Sequence, residues 1–421
     1  MSVASPIASQ ARFTGSRWLT VWLMVAVSAL SYFDRTIMSI AGPTVMKEFS
    51  ISETDMGTVF SAFLLSYTIL MTPGGWIADR FGPRAVLTVT GLGTALLTGL
   101  TAYCGKPGLG ALLGIVPSFL IVRLLLGALT APLYPSCGRL AANWIPMTLQ
   151  GWVQALIMAG SAVGAAISPI AFSRMIEAYG WRVSFLLAGA ITAALYLGWF
   201  WWVRDHPAGE AGAAPKPRVA SQWRLLLTDK DLMLLTLGYF MVNYFEYIFF
   251  YWIYYYFGQI RHLGARETAV ATTVLFITMA VMTPLGGKLS DWLVASKGQK
   301  FGRRSVSMAG MAVSAVLLSL GAGGGFGVVT TVGLLSLALG FATFSEGPFW
   351  AVAIEISGEQ VGAACGILNT GGNLGGMLAP ILTPRIAVHF CWTGGLYFGS
   401  FMVLIGMLTW LLVDPSKKIE T

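Results

Sequence analysis

The chain has 421 residues, of which 56% are hydrophobic and only 10% charged. Soluble domains carry about 25% charged residues, so this composition cannot cover a globular surface and excludes a soluble enzyme, a nucleic-acid binder and a disordered protein. The net charge of +8 matters through its placement along the chain and not through its sum.

A helix crosses a bilayer core with about 20 consecutive apolar residues. Twelve such windows occur, at 18–40, 57–78, 85–104, 112–138, 152–173, 184–203, 231–257, 269–287, 306–323, 328–353, 362–383 and 391–413. The short alternating strands of a β-barrel do not appear, so the expected fold is an all-α membrane protein of twelve transmembrane helices. The polar N-terminus lacks the charged, apolar and cleavage regions of a signal peptide, and the first window reads as a retained helix. Cys104, Cys137, Cys365 and Cys391 lie far apart and read as packing thiols, so no metal or other cofactor is expected.

Lysine and arginine set the orientation. With both termini cytoplasmic, seventeen of the 26 basic residues fall on the inner side and seven on the outer, while Arg35 and Arg123 lie within windows. The expected location is a plasma membrane of the bacterial inner-membrane type. Residues 204–229 are rich in Pro, Gly and Ala and read as a cytoplasmic linker. It separates an N-terminal six-helix bundle (1–203) from a C-terminal one (230–421).

The two halves are repeats. A shift of about 212 places Tyr32-Phe33-Asp34 on Tyr244-Phe245-Glu246 and Gly75-x-x-x-Asp79 on Gly287-x-x-x-Asp291. Gly127 and Pro135 meet Gly340 and Pro348, and GSAVGAAISPI meets GGNLGGMLAPI. Two parallel six-helix repeats with a site between them form a transporter architecture.

The segment GWIADRFGPR from Gly75 resembles the loop signature of the major facilitator superfamily, with a looser copy at Gly287–Asp291 and Gly302-Arg303-Arg304. Within that superfamily SYFDRTIMSIAGP, FSAFLLSYTILMTPGGWIADRFG and CGILNTGGNLGGMLAP resemble the anion:cation symporters, which include hexuronate, aldonate, sialin-like and vesicular-glutamate carriers. The resemblance implies alternating access and proton-driven uptake of an organic anion by a monomer. It also implies that Gly75, Asp79, Arg80, Gly82, Arg84, Arg139 and Asp291 form a conformational latch. Gly75 would let two helices approach closely, and the arginines would supply partners to Asp79. Positive-inside anchoring is the plainer alternative.

A charge at a helix centre costs at least ~2.5 kcal/mol, so each needs an account. Asp34, Arg35, Arg123, Glu246 and Glu346 lie within windows. Asp34 and Arg35 are consecutive and point different ways. Arg123 is the expected partner of Asp34, as a transport element or as a fixed brace, which leaves Arg35 for a substrate carboxylate. Asp34 maps onto Glu246 and Arg35 onto Tyr247, so positive charge belongs to the first half alone. Tyr32, Tyr67, Tyr247 and Trp350 are candidate substrate contacts, while Tyr254, Tyr255 and Tyr256 are expected in an interfacial belt. Asn369 matches an asparagine that resembling sugar-acid carriers use on substrate hydroxyls.

Related symporters carry a coupling Glu seven residues after the fourth-helix arginine, where this chain has Thr130. Glu346 stands in for it, serves an inner gate, or is bent away by Pro348. Two arginines, three ionised carboxylates and a monoanion leave an occluded site with excess negative charge. Protonation of Glu246 and Glu346, with Asp34 ion-paired, restores neutrality. Sodium held by Thr130, Asn369 and Asn373 is the alternative coupling ion. A transporter-like sensor is the other class weighed, and the motifs of an intramembrane enzyme are missing.

Overall fold

A computed structural model describes residues 15–105, 108–145, 147–207, 223–358 and 360–419. These are almost wholly helical, and among them ten stretches are long and apolar enough to cross a membrane. The main helices of the first half are α1 (Gly15–Phe49), α2 (Glu53–Phe81), α3 (Pro83–Leu100), α4 (Ile115–Thr130), α5 (Leu133–Trp144) and α6 (Met147–Trp202). Those of the second half are α7 (Lys230–Tyr255), α8 (Ala265–Lys297), α9 (Gln299–Ala322), α10 (Val328–Phe344), α11 (Glu346–Ile356) and α12 (Val361–Leu412).

Length shows that α6 and α12 each cross twice. Their 56 and 52 residues would extend about 84 and 78 Å at ~1.5 Å per residue, against a bilayer core of ~30 Å. Each is broken near its middle, α6 at Gly180 (φ 75°) and α12 at Phe390 and Cys391 (φ 55°). Cut there, the ten stretches become twelve. Conversely, windows 112–138 and 328–353 each contain two helices, α4–α5 and α10–α11. Pro135 and Pro348 stand third in α5 and α11, where a helix has no N–H bond to lose, so the bend falls just before them.

Local chemistry sets the helix ends. Ser52 caps α2 by accepting from the Asp55 N–H at 3.1 Å, and Asp229 caps α7 by accepting from Leu232 at 2.9 Å. The helices overrun the apolar windows because hydropathy marks only the portion in hydrocarbon. Thus α1 spans 15–49 where the window gave 18–40.

The repeat is visible in the packing. In the first half α1 packs on α6, α2 on α4, and α3 on α6; in the second, α7 packs on α12, α8 on α10, and α9 on α12. Close backbone approach recurs at equivalent glycines. A Cβ on Gly164 would lie 1.8 Å from the Ala29 carbonyl oxygen, and one on Gly375 would lie 2.1 Å from that of Phe240. Only glycine fits at either place. The outer surface is apolar, with Val329, Leu112, Trp201 and Val388 strongly exposed, as a lipid-facing surface requires.

One end of the bundle carries the start of α1, the end of α6 and the start of α7; the other, far end carries Ser50, Gly180 and Gly264. The halves meet through α8 against α6 and α2 against α12. Most of their hydrogen bonds run from mid-bundle to the far end, with Asn369 of α12 against Met71 of α2 toward the opposite end. Ser61 donates to the Met377 carbonyl at 2.7 Å, Thr273 donates to that of Ala166 at 2.9 Å, and Tyr255 donates to Glu53. Phe60 stacks on Tyr251 with centroids 5.2 Å apart and meets Trp252 edge-on, and Trp252 packs on Trp392.

Candidate functional site

Arg35 lies at mid-bundle on the face of α1 turned to the second half, and it is buried. Its guanidinium carbon is 5.3, 5.3, 5.7 and 5.0 Å from the ring centroids of Tyr32, Phe63, Tyr67 and Tyr247. Such faces attract a desolvated cation without neutralising it. Nη2 donates to the Tyr247 hydroxyl at 2.5 Å. Among the described residues that phenol is the acceptor on the fork, so the other N–H groups remain available to an anion.

Asp34 points away from Arg35, as neighbours on a helix must. Its partner differs from the expected one. Oδ2 accepts from Thr192 of α6 at 2.8 Å, Oδ1 has no hydrogen-bond partner, and no ion pair joins Asp34 to Arg123. Arg123 lies over the Phe63 ring at 5.0 Å, and its Nη2 donates to the Arg35 carbonyl at 3.4 Å. Two guanidinium groups thus share one benzene ring. The stacking direction set by Phe63 draws Arg123 toward Arg35, and the Thr192 hydroxyl takes the carboxylate instead. Arg123 Nε, Asp34 Oδ1 and the Tyr251 hydroxyl are buried without partners.

Across the seam Glu246 and Glu346 come together. Their carboxyl groups are within hydrogen-bonding reach of each other, although exactness of depth was not legible from sequence. Pro348 does not turn Glu346 away, because the bend precedes α11 and leaves Glu346 on its first turn. Tyr239 donates to Glu346 Oε1 at 3.3 Å and accepts from Trp350 Nε1 at 3.2 Å. Trp350 is therefore beside the acids, held by Tyr239. Arg35 is close enough for its charge to act on Glu246.

Asn369 Nδ2 lies 2.9 Å from Met71 Sδ of α2, and Asn373 donates to the Asn369 carbonyl at 3.0 Å. Tyr67 stacks on Phe63 with centroids 5.8 Å apart, and Tyr32 meets Phe250 of the second half edge-on. Thr130 is buried and donates to the Leu126 carbonyl at 2.7 Å, with Thr94 at 3.4 Å. Tyr255 and Tyr256 are not belt residues. Tyr255 bonds Glu53 and packs on Trp392, while Tyr256 is buried. Tyr255 is drawn into the seam by Glu53 of the first half, whereas Tyr256 is buried within the second half against Phe257.

Of the residues expected to form a latch, the structure places several at contacts between helix ends. The tight approach falls at Gly74, where a Cβ would meet Pro132 at 2.9 Å, whereas one on Gly75 would make ordinary contact with Pro135 at 3.4 Å. Gly82 (φ 84°) turns α2 into α3. The Arg84 N–H donates to Asp205 at 2.8 Å, its Nη2 to the Phe200 carbonyl at 2.6 Å, and Arg80 lies over Trp76 and Phe81. The Asp79 side chain lies outside the described residues, and Arg139 is half-buried. In the second copy Arg303 joins Asp291 and Glu355, both at 2.6 Å. Nearby, Ser416 and Lys300 hold the Asp414 carboxyl down at about 2.

Sequence reading missed Phe63, Thr192, Tyr239 and Glu53. Phe63 was detectable, since it stands one helical turn before Tyr67 and shares its face. The others are chosen by packing between distant helices.

A family model described as Major Facilitator Superfamily matches residues 24–298 and 267–421. The chain is similar to the probable sulfoacetate transporter SauU of Cupriavidus necator, with 26% identity over 96% of each chain. It is also similar to the hexuronate transporter of Bacillus subtilis (28% identity, 94% of this chain and 93% of that one) and to the D-galactonate transporter of Escherichia coli O6:H1 (27%, 96% and 97%). Among solved structures, a bacterial homologue of the human lysosomal transporter Spinster superposes with a TM-score of 0.76 at 14% identity, covering 95% of this chain and 97% of that one. A D-xylose-proton symporter gives 0.73 at 18% identity, covering 95% and 98%. With the matched regions spanning nearly the whole sequence and the repeat-built helical fold in agreement, the chain belongs to the major facilitator superfamily.

Proposed function

We propose that this protein is a secondary active transporter of a small organic anion, a sugar acid or other small carboxylate or sulfonate, driven by protons. The observation that carries the reading is the pair Arg35 and Arg123 over the Phe63 ring, facing a carboxyl pair across the seam. A planar guanidinium with free donors suits a carboxylate, and aromatic faces suit the body of a sugar acid. Relatives named for hexuronate, D-galactonate and sulfoacetate support the same class.

Two carboxylates in contact repel, which favours a proton between them. Glu246 and Glu346 are accordingly the coupling acids of this reading, with Thr130 in the place of the acid that related symporters use. Both termini are assigned to the cytoplasm of a plasma membrane. The far-end contacts then close the outer side, and this conformation faces inward. The basic signature loop serves as the inner latch when the cycle reverses.

The test is a thermal-shift screen of D-galactonate, hexuronates, sulfoacetate and neutral sugars, followed by uptake into liposomes. Stabilisation by acids and not by neutral sugars supports the reading, because only a ligand of the folded state raises its melting temperature. Accumulation that follows sodium at fixed pH, with no response to a proton gradient, replaces protons by sodium.

A further inference from the structure

We propose that Tyr239 is a positioning residue that sets where the shared proton of the acid pair resides: on Glu246, with Glu346 as its ionised acceptor. The inference rests on the proton-coupling reading above.

Donor and acceptor counting gives the direction. An indole N–H can only donate, so the bond from Trp350 Nε1 at 3.2 Å occupies the Tyr239 oxygen as an acceptor. The single hydroxyl hydrogen is then free to point at Glu346 Oε1, 3.3 Å away. A carboxyl group that receives this hydrogen is favoured in its ionised form. Glu246 receives no such bond among the described residues, and its carboxyl reaches the other acid instead. The arrangement that satisfies all three groups is Trp350 to Tyr239, Tyr239 to Glu346, and Glu246–H to Glu346.

Packing holds the phenol in place. Its ring is tilted against Phe349 at 5.3 Å and meets Trp350 edge-on at 6.0 Å. A Cβ on Gly372 would lie 2.6 Å from the ring, so α12 leaves it no room to swing. Tyr239 stands seven residues, or two turns, before Glu246 and therefore on the same face of α7. The other charged or titratable groups near the pair are Arg35 and Tyr32 from α1 and Tyr247 from α7. Of the hydroxyl-bearing ones, Tyr247 is engaged by Arg35.

Infrared difference titration of the full chain in liposomes tests this with the proton itself as the probe. A coupled pair releases its protons in two steps, and the carbonyl stretch of a protonated carboxyl reports each. At pH values between the steps, the band is expected to vanish in Glu246→Gln and persist in Glu346→Gln. Tyr239→Phe removes one bond to the ionised Glu346, so the lower step moves up by about one pH unit, while the upper step stays, because Glu346 is ionised on both sides of it. Trp350→Phe lets the hydroxyl turn and moves the lower step the same way by less. Wild-type steps in both Tyr239→Phe and Trp350→Phe, or a band kept in Glu246→Gln and lost in Glu346→Gln, overturn the assignment. A wild-type band in both glutamine variants means the pair holds no shared proton, and the coupling reading itself fails.

Discussion

Arg35 and Tyr247 are 212 residues apart, the shift that lays one repeat on the other, and they are hydrogen-bonded to each other at 2.5 Å. Positions related by a two-fold axis can touch only if both lie on it. These two therefore mark the axis between the bundles, and they differ in charge. The duplication supplied the location and divergence supplied the polarity, with a cation from one copy and a phenol from the other.

Arg35→Lys is expected to weaken anion binding about tenfold or more, since an ammonium cannot reproduce the two-pronged bond and loses its fit among four rings. Isothermal titration with whichever acid the stability screen selects measures this. Unchanged affinity removes Arg35 from the binding site.

Asp34 and Thr192, which share a hydrogen bond, should be coupled more strongly than Asp34 and Arg123, whose charges act on each other without one. A double-mutant cycle of Asp34→Asn with Thr192→Val, read by melting in detergent, is expected to show an interaction of about 1 kcal/mol or more. The corresponding cycle of Asp34→Asn with Arg123→Gln should show the smaller interaction of the two, that of separated charges. Strong coupling in the second cycle would restore the ion pair expected from sequence.

Glu246→Gln should abolish accumulation driven by a pH gradient and retain exchange of substrate at equal concentrations, where no net proton movement is needed. Glu346→Gln should do the same less completely. Both modes are measured in the same liposomes. Full gradient-driven accumulation in both variants would leave Asp34 as the proton carrier, or a different driving ion.

Gly375→Val should lower thermal stability by several kcal/mol, because the new side chain must displace the Phe240 carbonyl and there is no flexible atom to yield. Gly287→Val, with open space around its Cβ, is the control and should change stability little. Equal melting temperatures for the two variants would contradict the packing described here.

Hydropathy and the repeat made the fold readable. Membrane helices must satisfy their backbone internally, so length and apolarity nearly determine them. The alignment of Asp34 with Glu246 marked one acid in each half, whereas the bends before Pro135 and Pro348 were not anticipated, since windows 112–138 and 328–353 each read as one helix. Partner choice was less accessible. Nothing in the sequence distinguishes Thr192 from other threonines, and although the spacing of Phe63 from Tyr67 gives its face, it does not show that two arginines converge on the ring. Tyr255 was misjudged for the same reason: a tyrosine at a helix end has the same composition signal whether lipid or a second bundle lies beside it.

The glycine contacts have a mechanical consequence. Where the backbones of Gly164 and Ala29 abut, and again those of Gly375 and Phe240, no side chain stands between the helices to rotate or compress. Each bundle is stiff there. At the seam, by contrast, Phe60 of the first half lies flat on Tyr251 and meets Trp252 edge-on, ring surfaces that can slip past one another with little change in contact area. The easier movement therefore lies at a greased joint between two rigid shells, and a displacement started in one shell reaches that joint without being absorbed on the way.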